Sequence, residues 1–291
     1  MDDSDASPFG FLSPKAKTSD QSTEASPTEN QASDRNVEVL IKRQFDPNAL
    51  YYDMSGKKYL LIFNQYKFQS TVYFRNKRPP SRLGTFKDVD KLNKVFKSVQ
   101  FEVSTHTDLQ YSNIKETVTA FIDRDHSNTS CICITFLTHG NNQGDLYAAD
   151  RPFSLQNLTK LFEDKRLATI PKLFFIQACR GDDVDDGNFV ETDALSFKTY
   201  HIPSHIDFLT LYPTVEGLVA FRDSEGSWMI QELCKIIETH YRDYDILQLI
   251  TLANKAVAFE RTSSNQKNLS IHEKKQTLET KHTLTKFLKF A

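Results

Sequence analysis

The chain has 291 residues, and its 36 lysines and arginines nearly balance 38 aspartates and glutamates, which gives a net charge of −2. This balance gives no support for a nucleic-acid partner, and no run of about 18 apolar residues is available to enter a membrane. The N-terminus lacks the basic and apolar regions of a secretory signal, and four cysteines do not suggest a disulfide framework, so we expect a cytoplasmic protein.

The N-terminal 36 residues are polar and acidic, and their only aromatic residues are Phe9 and Phe11. Such a segment cannot bury enough apolar surface to offset the entropy lost on ordering, so we predict disorder there. It is also too short for a recruitment domain of ordinary size.

Apolar strands alternate with amphipathic helices from about residue 58 onward. The predicted elements are, in order, strand Lys58–Phe63, helix Asp88–Ser98, strand Val99–Val103, helix Tyr111–Asp123, strand Cys131–Leu137, helix Ser154–Asp164 and strand Lys172–Ala178. This alternation predicts an α/β fold with a parallel sheet and helices on both faces.

The alternation stops between Gly181 and Pro203, which is an acidic stretch too long for an ordinary connection. We interpret it as an exposed linker. The elements predicted after it are strands Asp207–Tyr212 and Val215–Phe221, helices Ser227–His240 and Tyr244–Glu260, a polar loop Arg261–Gln276, and a strand Thr283–Phe290.

Two of the apolar strands end at residues that can carry chemistry. Cys179 follows the strand that ends at Ala178, and His139 with Gly140 follows the strand that ends at Leu137. An adjacent histidine can take the proton of a thiol and later protonate a leaving amine. The backbone N–H groups of Gly140 and Cys179 would form an oxyanion hole.

The other three cysteines do not suggest a reactive site. Cys131 and Cys133 lie on one face of a predicted strand, and Cys234 lies in the apolar stripe of a predicted helix. We predict that all three are core residues, and no further ligands at suitable spacing point to a metal.

The run Gln177-Ala178-Cys179-Arg180-Gly181 resembles the segment around the nucleophile of the caspases, which cut proteins after aspartate. Two more segments match this family: Ser81 to Thr85, which includes Arg82, and Phe221 to Trp228, which includes Arg222. The resemblance covers about residues 55–290. It implies a caspase-like fold with a mainly parallel six-stranded sheet, and an orienting role for the carbonyl of Pro80 toward His139.

A pocket for aspartate must compensate a desolvated carboxylate, which is very costly to bury unpaired. The two guanidinium groups of Arg82 and Arg222 and the amide of Gln177 can do so, at about 1.5–3 kcal/mol for each charge-assisted bond. The resemblance further implies substrate contacts in the segment that contains Val219, Ala220, Phe221, Asp223 and Trp228.

This segment also departs from the family pattern. Phe221 stands where a tryptophan is common, so the S2 subsite, which Val219 and Phe221 would line, should be wider and still apolar. Asp223 stands where executioner caspases often have an asparagine that holds a P4 aspartate, and a carboxylate there should repel an acid.

The resemblance implies a zymogen cut after aspartate. Residues 1–34 would be a short prodomain, 35–193 a large subunit with the linker 182–193, and 194–291 a small subunit, with 35–291 as one catalytic domain. We predict the main cut after Asp193, before Ala194, and a weaker site at Asp34. The implied partners are an upstream activating caspase, inhibitor proteins and a second large/small pair joined through the last strand, and no cofactor is implied.

These features favour an executioner caspase in apoptosis, with an initiator role as the alternative within the family. A catalytically inactive regulatory scaffold is the alternative from another class, and the retention of Cys179, His139 and both arginines argues against it. A protease with basic P1 preference would need an acidic pocket, which the arginines contradict.

Overall fold

The computed structural model describes residues 46–141, 143–180, 204–264 and 272–291. The predicted prodomain and the linker 182–193 lie outside these ranges, as do the predicted cleavage sites Asp34 and Asp193.

A six-stranded sheet forms the centre of the molecule, with the spatial order β10-β7-β6-β3-β1-β2. All neighbouring strands in it are parallel except β10, which runs antiparallel to β7. Its strands are β1 Lys57–Asn64, β2 Phe101–Thr107, β3 Thr129–Leu137, β6 Lys172–Gln177, β7 Phe208–Tyr212 and β10 Glu279–His282. Two short hairpins accompany it, namely β4 Asp145–Tyr147 with β5 Pro152–Ser154, and β8 Arg222–Asp223 with β9 Gly226–Ser227.

Helices cover both faces of this sheet, as predicted. They are α1 Thr85–Ser98, α2 Tyr111–Ile122, α3 Leu155–Thr159, α4 Trp228–His240 and α5 Ile246–Lys255. Buried side chains of α1, α4 and α5 join one apolar core, and those of α2 and α3 join a second core on the opposite face. The predicted fold class, a mainly parallel six-stranded sheet flanked by helices, is therefore confirmed.

Local chemistry explains how two of these helices form. In α1 the residues Val89, Leu92, Val95 and Phe96 share the buried face, which is the spacing of an amphipathic helix. Asp245 caps α5 in a reciprocal capping box with Gln248. Where we predicted a single helix over 154–164, α3 tightens into a 3₁₀ turn at Lys160–Glu163.

The predicted strand Val215–Phe221 is wrong, because the chain turns there at Gly217, whose φ is +92°. The N–H of Gly217 donates to the carbonyl of Arg180 at 3.1 Å, so this loop is tied to the residue after Cys179. The apolar character of the segment reflects a loop packed against the molecule and not a strand.

The predicted strand Thr283–Phe290 is also wrong, since the last strand, β10, ends at His282. The tail that follows instead pairs with residues near Tyr52, whose N–H donates to the carbonyl of Phe287 at 3.0 Å. Leu288 and Phe290 are nevertheless buried, which accounts for the strand-like pattern. Among all the helices in the described ranges, none has the length and apolar character needed to cross a membrane.

Candidate active site

The ends of β3 and β6 bring His139 and Cys179 to one edge of the sheet. Leu137 is in register with Gln177, and the N–H of Thr138 donates to the carbonyl of Gln177 at 3.0 Å. His139 lies two residues after Leu137, and Cys179 lies two residues after Gln177. The side chain of Cys179 is half-buried. Adjacent parallel strands thus present a thiol and an imidazole at the same edge.

Gly140 lies so close to this junction that no other residue fits. A Cβ atom on Gly140 would stand 2.2 Å from the carbonyl oxygen of Cys179 and 3.3 Å from the Cβ of Ala178. The backbone of Cys179 itself therefore requires glycine at this position.

The imidazole of His139 is held from two sides. Its Nε2 lies 2.8 Å from the carbonyl oxygen of Pro80, and its ring packs on that of Phe68 with centroids 5.0 Å apart. A carbonyl oxygen only accepts hydrogen bonds, so Nε2 carries the proton in the neutral ring. Nδ1 is then the nitrogen left to accept a proton.

The surroundings of His139 favour this neutral form. Burial lowers the pKa of the imidazole below its ordinary value of 6.5, and the hydrogen bond to Pro80 partly opposes the shift. The positive charges of Arg82 and Arg222 lower the pKa further. In the absence of substrate, the site therefore favours neutral His139, which can accept a proton.

Arg82 is buried near Cys179 and His139, with only 4 % of its surface exposed. Its Nη1 donates to Oγ1 of Thr85 at 2.7 Å, and that hydroxyl donates to Oδ1 of Asn64 at 2.6 Å. Burial, followed by the neighbouring Arg222, lowers the pKa of Arg82 to about 9. The guanidinium is therefore a cation with little compensation, ready to receive an anion.

Arg222 comes from β8 on the other side of the site. Its Nη1 donates to the carbonyl of Leu83 at 3.0 Å, and burial lowers its pKa. The charge of a Cys179 thiolate would raise the pKa of both Arg82 and Arg222, so the two cations and the thiol share one electrostatic environment.

Asp88 is a site residue that the sequence reasoning missed. It is completely buried and accepts hydrogen bonds from the N–H of Ser227 at 2.8 Å and from the Ser227 hydroxyl at 2.7 Å. Burial raises the pKa of Asp88, while the Ser227 bonds and both arginines lower it. The available signal was a carboxylate on the apolar face of α1, four residues before Leu92.

Gln177 is 3 % exposed at the end of β6. Within the described ranges, its Oε1 has no hydrogen-bond partner. Its side chain shares a sheet face with that of Asn64, because both residues are in register with Leu137.

The loop after β7 contributes apolar residues beside Arg222. Val219 and Ala220 are half-buried, and the N–H of Phe221 donates to Oε1 of Gln276 at 2.7 Å. The rings of Phe221 and Trp228 pack with centroids 5.0 Å apart, and Trp228 is 5 % exposed, so most of its surface belongs to the core.

Asp223 does not project as a free carboxylate. Its Oδ2 lies 2.9 Å from Nη1 of Arg261, and its Oδ1 accepts from Nε2 of Gln231 at 2.8 Å. Arg261 is also paired with the buried Glu232 at 2.6 Å. A cleft of about 360 Å³ lined by Phe221, Arg222, Asp223, Trp228 and residues 260–264 opens here. Of its two arginines, Arg261 is held by the carboxylates of Asp223 and Glu232.

Arg180, the residue after Cys179, fastens three segments together. Its guanidinium lies over the ring of Tyr212 at 4.1 Å, forms an ion pair with Glu279 of β10, and lies 3.3 Å from Glu216. The turn that carries Cys179 is thereby joined to the 214–221 loop and to the edge strand.

The other three cysteines are buried, as predicted, and burial raises the pKa of each thiol. In the part of the chain that the structure describes, no group of three or more His, Cys, Asp or Glu side chains could hold a metal ion.

Comparisons with known proteins agree on one family. A sequence model described as "Caspase domain" matches residues 57–289. Caspase drICE of Drosophila melanogaster is 35% identical over 263 residues, covering 87% of this chain and 76% of that protein, and caspase-7 of Gallus gallus is 34% identical over 256 residues, covering 82% and 79%. The crystal structure of caspase-1 from Spodoptera frugiperda superposes with a TM-score of 0.76 at 35% identity, covering 85% of this chain and 96% of that one.

Proposed function

The chain belongs to the caspase family of cysteine-type endopeptidases, and we propose that it cleaves proteins after aspartate, with Cys179 as nucleophile and His139 as general base. The observation that supports this most is the convergence of two poorly compensated arginines, Arg82 and Arg222, on the edge where the thiol and the imidazole meet.

In the proposed mechanism the thiol proton moves to Nδ1 of His139, and the sulfur of Cys179 attacks the carbonyl carbon of the scissile bond. The N–H groups of Gly140 and Cys179 stabilise the oxyanion, at about 3 kcal/mol for one such donor. The imidazolium then protonates the leaving amine. A water molecule hydrolyses the thioester with His139 again as base, which restores the thiol.

The hydrogen bond to Pro80 supports this assignment. Because Nε2 is committed to the carbonyl of Pro80 at 2.8 Å, the ring can turn only its Nδ1 toward the thiol. The carbonyl also stabilises the imidazolium that forms during each proton transfer.

Selection of aspartate follows from the charges near the thiol. Arg82, Arg222 and the amide of Gln177 would bind the P1 carboxylate. A neutral P1 residue would leave the two cations without a partner, so it should be rejected strongly. A basic P1 residue would be repelled outright.

For the outer subsites we propose an apolar S2 formed by Val219, Ala220 and Phe221, with Trp228 behind it, and an S4 that does not favour acids. Arg261 cannot bind a P4 aspartate, since it already pairs with Asp223 and Glu232. A positional-scanning peptide library tests this proposal, and a strict demand for P4 aspartate would contradict it.

We further propose an executioner role in apoptosis, in the cytoplasm. Its four cysteines are all free thiols, which suits a reducing compartment. Activation would follow cleavage after Asp193 by an upstream caspase, giving a large subunit 35–193 and a small subunit 194–291, with Asp34 as the weaker site that releases residues 1–34. Intact-mass analysis of active protein tests this scheme, which predicts a small subunit that begins at Ala194.

The central experiment measures hydrolysis of peptides that differ only in P1, which is Asp, Asn, Glu or Arg, by wild type and by Cys179→Ala. We expect cleavage after Asp alone and no activity in the variant. Absence of cleavage by wild type, even after a cut at Asp193, would contradict the proposal and favour a regulatory scaffold.

A further inference from the structure

A second cleft, larger than the Phe221–Trp228 cleft, lies beside His139. It has a volume of about 720 Å³ and is lined by residues 73–75 and 77–80 on one side and by Asn141, Gln143, Asp145, Tyr147 and Pro152 on the other. Pro80 is common to this cleft and to the catalytic geometry, because its carbonyl holds His139. Tyr147 also contacts the His139 ring, with centroids 6.2 Å apart.

The position of this cleft assigns it to residues that follow the scissile bond. A peptide whose P1 carboxylate lies between Arg82 and Arg222 would send its preceding residues toward Phe221 and Asp223. Its following residues would then pass His139 toward Pro80, whose carbonyl holds that ring. They would enter the second cleft, which shares no lining residue with the first.

The rim of this second cleft is basic. Arg75, Lys77 and Arg78 line it, and all three are exposed. In the ranges that the structure describes, none of these three makes an ion pair. Asp145, the single acid among the lining residues, accepts a hydrogen bond from Asn141 at 3.3 Å and donates its own N–H to the same side chain at 2.9 Å.

A tightly bonded turn presents these basic residues. Arg75 and Asn76 both have positive φ, 54° and 56°, which is uncommon for two successive residues other than glycine. The N–H of Asn76 donates to the carbonyl of Thr71 at 2.7 Å, and the Ser70 hydroxyl donates to the carbonyl of Asn76 at 2.8 Å. The turn therefore places the cations on the rim at a cost in backbone strain.

We propose that this cleft selects substrates with acidic residues after the scissile bond, at about P2′ to P4′, through Arg75, Lys77 and Arg78. The inference rests on the proposed function of the site and adds a substrate class to it: proteins in which an acidic stretch closely follows the cleaved aspartate. Exposed charges of this kind act weakly one by one but add up along an extended chain.

The test compares peptides with one common sequence up to P1 Asp and one small P1′ residue, and with Glu, Gln or Lys at P2′ to P4′. A minimal peptide whose fluorophore directly follows P1 Asp serves as the reference. We expect wild type to show a kcat/KM about fivefold higher for Glu than for Lys. The ratio should approach one at about 1 M salt, where the Debye length is about 3 Å.

The variant Arg75→Gln/Lys77→Gln/Arg78→Gln should lose this preference and still cleave the minimal peptide. The control Lys97→Gln/Lys115→Gln, which removes exposed lysines from α1 and α2, should keep the preference.

Each alternative outcome has one meaning. Equal rates for Glu and Lys peptides, with the minimal peptide cleaved, would overturn this inference and leave the proposed function intact. A preference that survives in the triple variant would overturn the assignment to these residues. Failure of wild type to cleave the minimal peptide would overturn the proposed function and the inference with it.

Discussion

At the scale of single residues, the site is an excess of buried positive charge around a thiol and a neutral imidazole. The charge of Arg222 lowers the pKa of Arg82, and one buried carboxylate, Asp88, raises the pKa of both arginines and so offsets part of this effect. A substrate aspartate would supply the missing negative charge. Under the proposed function, binding and specificity would follow from an excess of positive charge that is present before the substrate arrives.

The first prediction concerns His139. Because burial and the two nearby arginines lower its pKa below 6.5, the imidazole should remain neutral at pH 6.5 in the free enzyme. An NMR titration of the imidazole in Cys179→Ala measures this directly. A midpoint at or above 6.5 would contradict the electrostatic description, and Arg222→Gln in the same background should move the midpoint upward.

The second prediction concerns Asp88. The substitution Asp88→Asn removes the charge that partly compensates Arg82 and Arg222. Burial already disfavours that charge, as the raised pKa of Asp88 shows, so the unfolding free energy of the empty protein should change little. A peptide aldehyde ending in aspartate should stabilise this variant more than wild type, since its carboxylate replaces the lost charge. Thermal unfolding with and without the aldehyde measures both effects.

Asp90→Asn is the matched control, because Asp90 is an exposed carboxylate on the same helix. It should leave both melting temperatures within about 1 °C of wild type. An equal stabilisation by the aldehyde in the two variants would show that the charge of Asp88 does not compensate the arginines.

At the scale of elements, the geometry depends on how closely two strand ends approach. Gly140 follows β3 and Cys179 follows β6, and the glycine allows the carbonyl of Cys179 to lie where a side chain would otherwise stand. The proposed oxyanion hole depends on the same closeness, because its two N–H groups would come from Gly140 and Cys179.

The third prediction tests this approach with Gly140→Ala. The added Cβ would lie 2.2 Å from the Cys179 carbonyl oxygen, so the strand ends must separate by more than 1 Å to relieve the contact. A displacement of about 1 Å in an active site costs roughly a hundredfold in rate, and we expect a loss of that size in kcat/KM for a P1 Asp peptide.

Gly144→Ala provides the control in the same connection. A Cβ on Gly144 meets nothing within 4 Å, and only its φ of +78° opposes the change. That variant should lose about 1 kcal/mol of stability and little activity. Comparable rate losses in both variants would refute the steric explanation for Gly140.

The strands and helices of the central sheet could be predicted because their burial pattern is local. β1, β3 and β6 are apolar runs, and α1 carries an amphipathic stripe. The failures at Val215–Phe221 and Thr283–Phe290 have a common cause: both are apolar segments that pack against the molecule outside the sheet. Their partners, Arg180 and Tyr52, are distant in sequence, so no local pattern could reveal the packing.

Cys179, His139, Arg82 and Arg222 could also be named from the sequence, because they stand at the ends of apolar strands or within short recognisable motifs. The contribution of Asp88 could not, since it depends on Arg82 before α1 and on Arg222 and Ser227 in the distant β8–β9 hairpin. The pairing of Asp223 with Arg261 was equally hidden, and it changes the physical reason for expecting weak affinity for a P4 acid. The sequence suggested that a free Asp223 carboxylate would repel the acid. In the structure, Asp223 and Glu232 instead neutralise Arg261, which leaves this arginine unable to bind the acid.

At the scale of the whole molecule, the sheet ends at an exposed strand that is connected to the site. β10 pairs with β7 on one side only, and Glu279 at its start reaches the guanidinium of Arg180. A strand edge of this kind can pair with another chain. We propose that a second pair of large and small subunits binds at this edge of β10, so that the charges on β10 influence the stability of the dimer.

The fourth prediction is that the β10 edge forms the dimer seam and that its strength depends on opposite charges. Glu279 and Lys281 alternate along this strand, so two copies paired antiparallel about Thr280 would place each glutamate opposite a lysine. Lys281→Glu would bring four carboxylates to the seam, and like charges facing each other across strands are destabilising. We expect the dissociation constant of the cleaved protein, measured by sedimentation velocity, to rise about tenfold or more.

The control Lys97→Glu, on α1, should leave this dissociation constant unchanged. If both variants dimerise like wild type, the seam does not lie at β10, and the link from Arg180 through Glu279 serves only the fold of one catalytic unit.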